Sequence, residues 1–200
     1  VGVEVMVHDW LGGDGGDELF GGYKHYDRLL WCNKYLGWLP NRFKKIIANT
    51  ATEYLPIGFK SRNWLQSLNH DFKTELPLIA SFFDSKVRGD LVKDNSWLIN
   101  AESIWKERVP KTTDFLDRMT RMDFKNYMAE DILVKVDRAN MLNSLEIRSP
   151  FLDKNVIEFA LGQIPISLKA NTSERKIFLK ILSKKILPPD FDLQRKQGFS

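Results

Sequence analysis

The sequence predicts a mostly α-helical fold, with one short strand at the N-terminal end followed by a helical bundle. Val3 to Val7 is a β-branched run of the length of a buried strand. From Tyr23 onward apolar residues recur every three or four positions, the period of an amphipathic helix. No second stretch reads convincingly as a strand. Two hundred residues with 43% hydrophobic content can bury a core, and the length favours a single domain over 1–200.

Directly after the strand, Leu11 to Tyr23 packs six glycines and three acids into thirteen residues. Glycine accepts positive φ and lets a ligand approach the backbone, and a glycine-rich loop after a strand is where open α/β sheets place nucleotides. Asp14, Asp17 and Glu18 offer hard oxygen ligands for Mg²⁺, or a base for an amine. The plainer reading is a tight turn, with Asp17 as N-cap and Glu18 in the first helical turn. That reading leaves Asp14 and the spread of glycines unexplained.

The next helix runs from Tyr23 to Trp38, with Tyr26, Leu29 and Leu30 on its apolar side, and stops at Pro40. Asn41 reads as the N-cap of a helix over Arg42 to Tyr54, with Phe43, Ile46, Ile47 and Leu55 on one face. Ser61 reads as the cap of a short helix through Leu68, and Leu76 to Phe83 as a further apolar helix or turn. Lys86 to Pro110 is irregular and charged. Trp64, Trp97 and Trp105 read as core or interface packing residues and not as a base-stacking platform.

Periodicity returns at Asp114 and runs through Met119, Met122, Met128, Leu133, Leu142 and Leu145, with a break near Ala129 to Asp131. Asp131, Lys135 and Arg138 share one face, and spacing alone makes them a surface ion-pair ladder. Pro150 ends this helix and pushes Ser149 to an extended conformation, turning Phe151 and Leu152 inward. Asp153 caps Asn155 to Leu161, which ends at Gly162 and Pro165. Thr172 or Ser173 caps the last helix, with Ile177, Phe178, Ile181 and Leu182 on its buried side and Lys176 and Lys180 on the other. A lysine in the first turn faces the positive end of the helix dipole, a placement that asks for an anion.

The net charge of +4 and pI near 9.1 do not make a nucleic-acid protein, because the cations alternate with acids at helical spacing. Asp117, Arg118, Arg121, Asp123 and Lys125 read in this way as a solvated face. The one cysteine, Cys32, excludes an internal disulfide and a cysteine metal cluster, and its apolar neighbours make it a buried structural thiol. No apolar run is long enough for a bilayer and no secretory leader opens the chain, so the expectation is a soluble, cytoplasmic protein without a membrane partner.

The run Gly13-Asp14-Gly15-Gly16-Asp17-Glu18-Leu19-Phe20-Gly21-Gly22-Tyr23 resembles the loop of the ATP-using synthetase domain in the glutamine-dependent asparagine synthetase family. Gly12 departs from the usual Ser or Thr. A second block, Asp131 to Met141 and Ser144 to Asp153, is similar to another signature of that family, with Ile147 and Ser149 in place of the common Ala and Val. Lys176 falls at the matching position of its Lys-x-Ile/Leu-Leu-Lys/Arg segment, and Arg195 to Phe199 resembles its Arg-Lys-x-Gly-Phe ending. The resemblance implies that these residues are the C-terminal portion of an α/β ATP-pyrophosphatase domain of the adenine nucleotide α-hydrolase-like kind.

For that family the implied reaction uses ATP and Mg²⁺ to activate the aspartate side-chain carboxylate as β-aspartyl-AMP, which ammonia from glutamine then attacks. The resemblance implies Mg²⁺ on Asp17, pyrophosphate against Lys176 and Lys135, and Asp14 orienting substrate or taking a proton from ammonia. It implies substrate or ATP contacts for Gly13, Gly15, Gly16, Asp137, Arg138 and Arg148, and a supporting role for Glu18. The implied partners are aspartate or a similar carboxylate, ammonia, and a second copy in a homodimer. The family's Ser-Gly-Gly-x-Asp-Ser loop and glutaminase domain are expected before Val1, so these 200 residues alone are expected to turn over neither glutamine nor ATP. Two other readings stay open: a related enzyme acting on another carboxylate, as β-lactam synthetases and cell-surface polysaccharide enzymes do, and a non-catalytic helical interaction module.

Overall fold

The computed structural model describes residues 8–59, 61–72, 85–91, 107–108 and 114–191. Val3 to Val7, Leu76 to Phe83, Trp97, Trp105 and the Arg195 to Ser200 ending lie outside them. Within them the chain is mostly helical, as its periodicity predicts. Strand β1 is His8–Leu11, followed by α1 (Gly16–Phe20), α2 (Lys24–Leu36), α3 (Asn41–Tyr54), α4 (Arg62–Ser67) and α5 (Ser85–Leu91). Helix α6 (Phe115–Asp123) continues into a π-helical stretch, Phe124–Ile132, and α7 (Leu133–Leu142). Strand β2 (Leu145–Arg148), a 3₁₀ turn at Pro150–Leu152, α8 (Lys154–Gly162), a second 3₁₀ turn at Ile166–Leu168, and α9 (Ile177–Ile186) complete the order.

The main correction is β2, because the sequence reading continued the helix through Leu145 to Pro150. Helix α7 instead stops at Leu142. Asn143 donates from Nδ2 to the Ala139 carbonyl at 2.8 Å, and Ser144 takes positive φ at 52°. Short polar residues of this kind satisfy the backbone outside a helix and end it. Leu145–Arg148 then pairs parallel with β1, with His8 opposite Leu145 and Leu11 opposite Arg148.

Two apolar clusters hold the helices. Tyr26, Leu29 and Cys32 of α2 pack with Phe72 and with Phe115, Leu116, Met119 and Met122 of α6. Cys32 is therefore a buried thiol, as its neighbours predict, and burial raises its pKa. The second cluster joins Leu19 and Phe20 of α1 to Ala160 and Ile164, with Phe151 and Phe178 against it. Phe20 meets Phe151 edge-on at 5.6 Å and stacks on Phe178 at 6.0 Å. Burying Leu19 and Phe20 contributes about 2 kcal/mol each, which anchors the glycine loop from its C-terminal side.

Asp153 caps α8 as expected, accepting from Asn155 N, and Asp114 caps α6, accepting from Asp117 N. Other caps and faces differ from expectation. Pro40 and not Asn41 is the N-cap of α3, and Ser61 precedes α4 in a left-handed conformation without a side-chain cap. Helix α3 buries Lys44, Ala48 and Ala51, while Phe43 and Ile46 are exposed. On α9, Phe178 and Leu179 pack inward and Ile181 and Leu182 are largely exposed. The charges of α6 are not a solvated face. Asp117, Arg118 and Asp123 are buried, because Arg121 Nε reaches both Asp117 oxygens at 2.9 Å and Arg118 donates to the Phe72 carbonyl.

Candidate active site

Parallel pairing brings the C-terminal ends of β1 and β2 together, the edge where open α/β sheets bind ligands. Gly12 N donates to Arg148 O at 2.8 Å, so the glycine loop and the segment after β2 leave the sheet side by side. Asp14 on the first and Ser149 on the second then meet: Ser149 Oγ donates to Asp14 Oδ2 at 3.2 Å across 135 positions of sequence. Gly15 serves as N-cap of α1 at φ 91°, and a Cβ there would lie 2.6 Å from Leu152 Cδ2. Only glycine fits both demands. Asp17 is consequently inside α1 and not its N-cap. A Cβ on Gly16 would lie 3.3 Å from the Phe151 ring, whereas Gly13 faces open space.

Asp17 looks toward α9. Lys176 Nζ sits 3.0 Å from Asp17 Oδ1 as an ion pair, outside the angles of a hydrogen bond. Lys176 owes its position to the turn before it. Asn171 Oδ1 accepts from Ser173 N and Glu174 N, Ala170 bridges Arg175, and Lys176 enters α9 as its N-cap at φ 53°. Neither Thr172 nor Ser173 caps the helix, since it starts at Ile177 and Asn171 organises the turn. Lys180 turns to Glu174 Oε1 at 3.1 Å. Gly22 is required here as well: a Cβ would fall 1.8 Å from Asp17 Oδ1 and 2.2 Å from Lys176 Cε. Arg175 also belongs to this corner, donating to Gly22 O at 3.1 Å and approaching Asp27 at 3.4 Å.

Glu18 supports the loop from below. It is 1% exposed, accepts from the Tyr23 hydroxyl, and has its carboxyl raised above the ordinary range, chiefly by burial. Tyr23 packs edge-on to Tyr26, whose hydroxyl donates to Asp123 Oδ2 at 2.7 Å. His25 Nε2 reaches the same oxygen at 2.8 Å.

Other expected site residues lie on α7 and β2. Asp137 lines a cleft of about 650 Å³ together with Asn140, Ser144, Glu146 and Ser149, so it shares a wall with the partner of Asp14. Lys135 and Arg138 are exposed on α7, and they do not line this cleft. Arg148 pairs with Glu146 at 3.0 Å on the exposed surface. Among the described residues no three His, Cys, Asp or Glu side chains could hold a metal ion. Asp17 offers a single carboxylate. Mg²⁺ takes one or two carboxylates along with waters and substrate phosphates, so this donor beside a lysine fits a Mg²⁺ that arrives with a polyphosphate.

Sequence reasoning missed Ser149, Gly22 and Arg175. Ser149 was obscured because its segment was read as a helix end. Gly22 stands within the glycine run but has no role of its own there, and Arg175 carries no local signal, since each matters only where α1 and α9 meet.

The two strands and the start of α9 thus gather one loop acid against a serine and a second acid against a lysine at one edge of a mostly helical protein. The asparagine synthase family profile matches residues 3–200, and the chain belongs to that family. It is 30% identical over 191 residues to asparagine synthetase (glutamine-hydrolysing) 1 of Bacillus subtilis, covering 94% of this chain and 30% of that protein. A Mycobacterium tuberculosis protein provisionally named a glutamine-hydrolysing asparagine synthetase is 30% identical over 199 residues, covering 94% of this chain and 29% of its own. The chain thus spans less than a third of the length of these curated relatives. No solved structure matches. Among the described residues no helix is long and apolar enough to cross a membrane.

Proposed function

We propose that these residues form the C-terminal part of the synthetase domain of an ATP-dependent amidotransferase that converts aspartate to asparagine, with AMP and pyrophosphate as products. The observation that carries the reading is the meeting of three distant segments, through Asp14 with Ser149 and Asp17 with Lys176. Family membership supports the reaction class. In this reading Asp17 would hold Mg²⁺, which would supply charge neutralisation on the polyphosphate. Lys176 exchanges Asp17 for the leaving pyrophosphate, and its ammonium stabilises charge that develops as the phosphoryl bond breaks. Asp14 orients the incoming ammonia or accepts its proton. Glu18 holds the loop through Tyr23, and Asp137 faces the acceptor cleft. Lys135, Arg138 and Arg148 serve more peripheral substrate contacts.

The test is pyrophosphate release by the full-length protein with aspartate, ammonia and Mg-ATP. Activity should fall at least 100-fold in Asp17→Ala and in Lys176→Met, the scale of losing a main electrostatic contact to the transition state. Wild-type rates in either variant would exclude these roles, and release that does not depend on aspartate would redirect the reading to another carboxylate.

A further inference from the structure

The contact between Ser149 and Asp14 is built by its surroundings. Gly12 lies beside it without a side chain. A Cβ there would sit 3.0 Å from Asp14 Oδ2, 3.2 Å from Ser149 Oγ and 2.9 Å from Ile147 Cγ2, so it would wedge between the two partners. Pro150 restricts Ser149 to extended backbone, observed at φ −107° and ψ 100°. The carbonyl of Ser149 accepts from Leu152 N at 2.8 Å, and Leu152 in turn packs on Gly15. Both strands of the sheet thus fix where the hydroxyl points. Ser149 also lines the cleft that holds Asp137 and Glu146, which places the hydroxyl between that cleft and the acid of the loop.

We propose that Ser149 is a positioning residue: its hydroxyl holds Oδ2 of Asp14 and thereby fixes the plane of the carboxylate. Gly12 is the complementary part, since it leaves the space in which the two side chains meet. The inference rests on the reading that Asp14 meets ammonia or substrate. Small misplacements of a reacting group cost rate steeply, while binding of ATP through other contacts is untouched. The hydroxyl should therefore appear in kcat and not in KM for ATP.

The experiment compares Ser149→Thr and Ser149→Val in the full-length protein, two variants of nearly equal shape that suit extended backbone and differ by the hydroxyl. Pyrophosphate release is measured against ATP and ammonia concentration, with thermal midpoints as a folding control. Ser149→Thr should keep kcat within about twofold, and Ser149→Val should lower it about tenfold at unchanged KM for ATP. Should the valine disturb folding, Ser149→Ala removes the hydroxyl without added bulk and is held to the same expectation. Equal kcat in the variants with and without the hydroxyl, in an active enzyme, overturns this inference alone. A wild-type protein that releases no pyrophosphate overturns the functional reading and this inference with it.

Discussion

Lys169 shows how far a single residue can depart from its ordinary chemistry in this fold. It is 0% exposed, and among the described residues its Nζ makes no hydrogen bond. Burial lowers its pKa to about 8, against an opposing pull from Asp117. Below pH 8 both folded and unfolded states carry the proton, so the folded state bears the full cost of a buried ammonium. Between pH 8 and the ordinary value of 10.5 the unfolded state binds more protons, and stability rises with pH. Lys169→Met should therefore stabilise the protein by about 2 kcal/mol at pH 7, with the advantage shrinking as pH approaches 10. Denaturant titrations at pH 7 and pH 10 check this, and a constant difference would exclude a buried charge as the cause. Nothing in the local sequence Ser167-Leu168-Lys169-Ala170 marks that lysine as buried, because the groups around it, Asp117 and Arg121 of α6 and the backbone at Gly21, lie far off in sequence. The acids of the loop were legible for the opposite reason: Asp14, Asp17 and Glu18 lie together in one run.

At the scale of elements, legibility followed how local the cause was. Asp153 announces its helix because an N-cap needs only its own next two or three residues. Asp153→Ala should accordingly lower stability by about 1 kcal/mol, measured by chemical denaturation, and Asp153→Asn should recover most of it. Strand β2 was hidden by the opposite circumstance. Its residues Leu145-Glu146-Ile147-Arg148 follow a long helical period, and only pairing with β1 makes them a strand. The charges of α6 were misread for a similar reason. Spacing reports which residues share a face but not what covers it, and here α2 covers Asp123 with Tyr26 and His25. Lys135 and Arg138 are exposed on α7, as a surface face predicts, but among the described residues no ion pair joins them to Asp131, which lies in the π-helical stretch before α7.

At the scale of the molecule, the candidate site is held by α1, a helix of five residues. Its first residues carry the loop and Asp17, and its last two, Leu19 and Phe20, enter the second apolar cluster. Phe20 touches Phe151, which follows Ser149 by two positions, and Phe178, which follows Lys176 by two. The ring is therefore the common support of both polar contacts, Asp14 with Ser149 and Asp17 with Lys176. Removing it should act on the site as well as on the core. Phe20→Ala should destabilise the protein by about 3–4 kcal/mol, as truncation of a fully buried aromatic does. Phe20→Leu, which keeps most of the volume, should cost less than half of that. If the ring aligns the site, pyrophosphate release by a folded Phe20→Leu enzyme should fall more than its stability loss explains, measured at a temperature well below its midpoint. Full activity in that variant would leave Phe20 as a packing residue and assign the alignment to the backbone hydrogen bonds at Gly12 and Gly22.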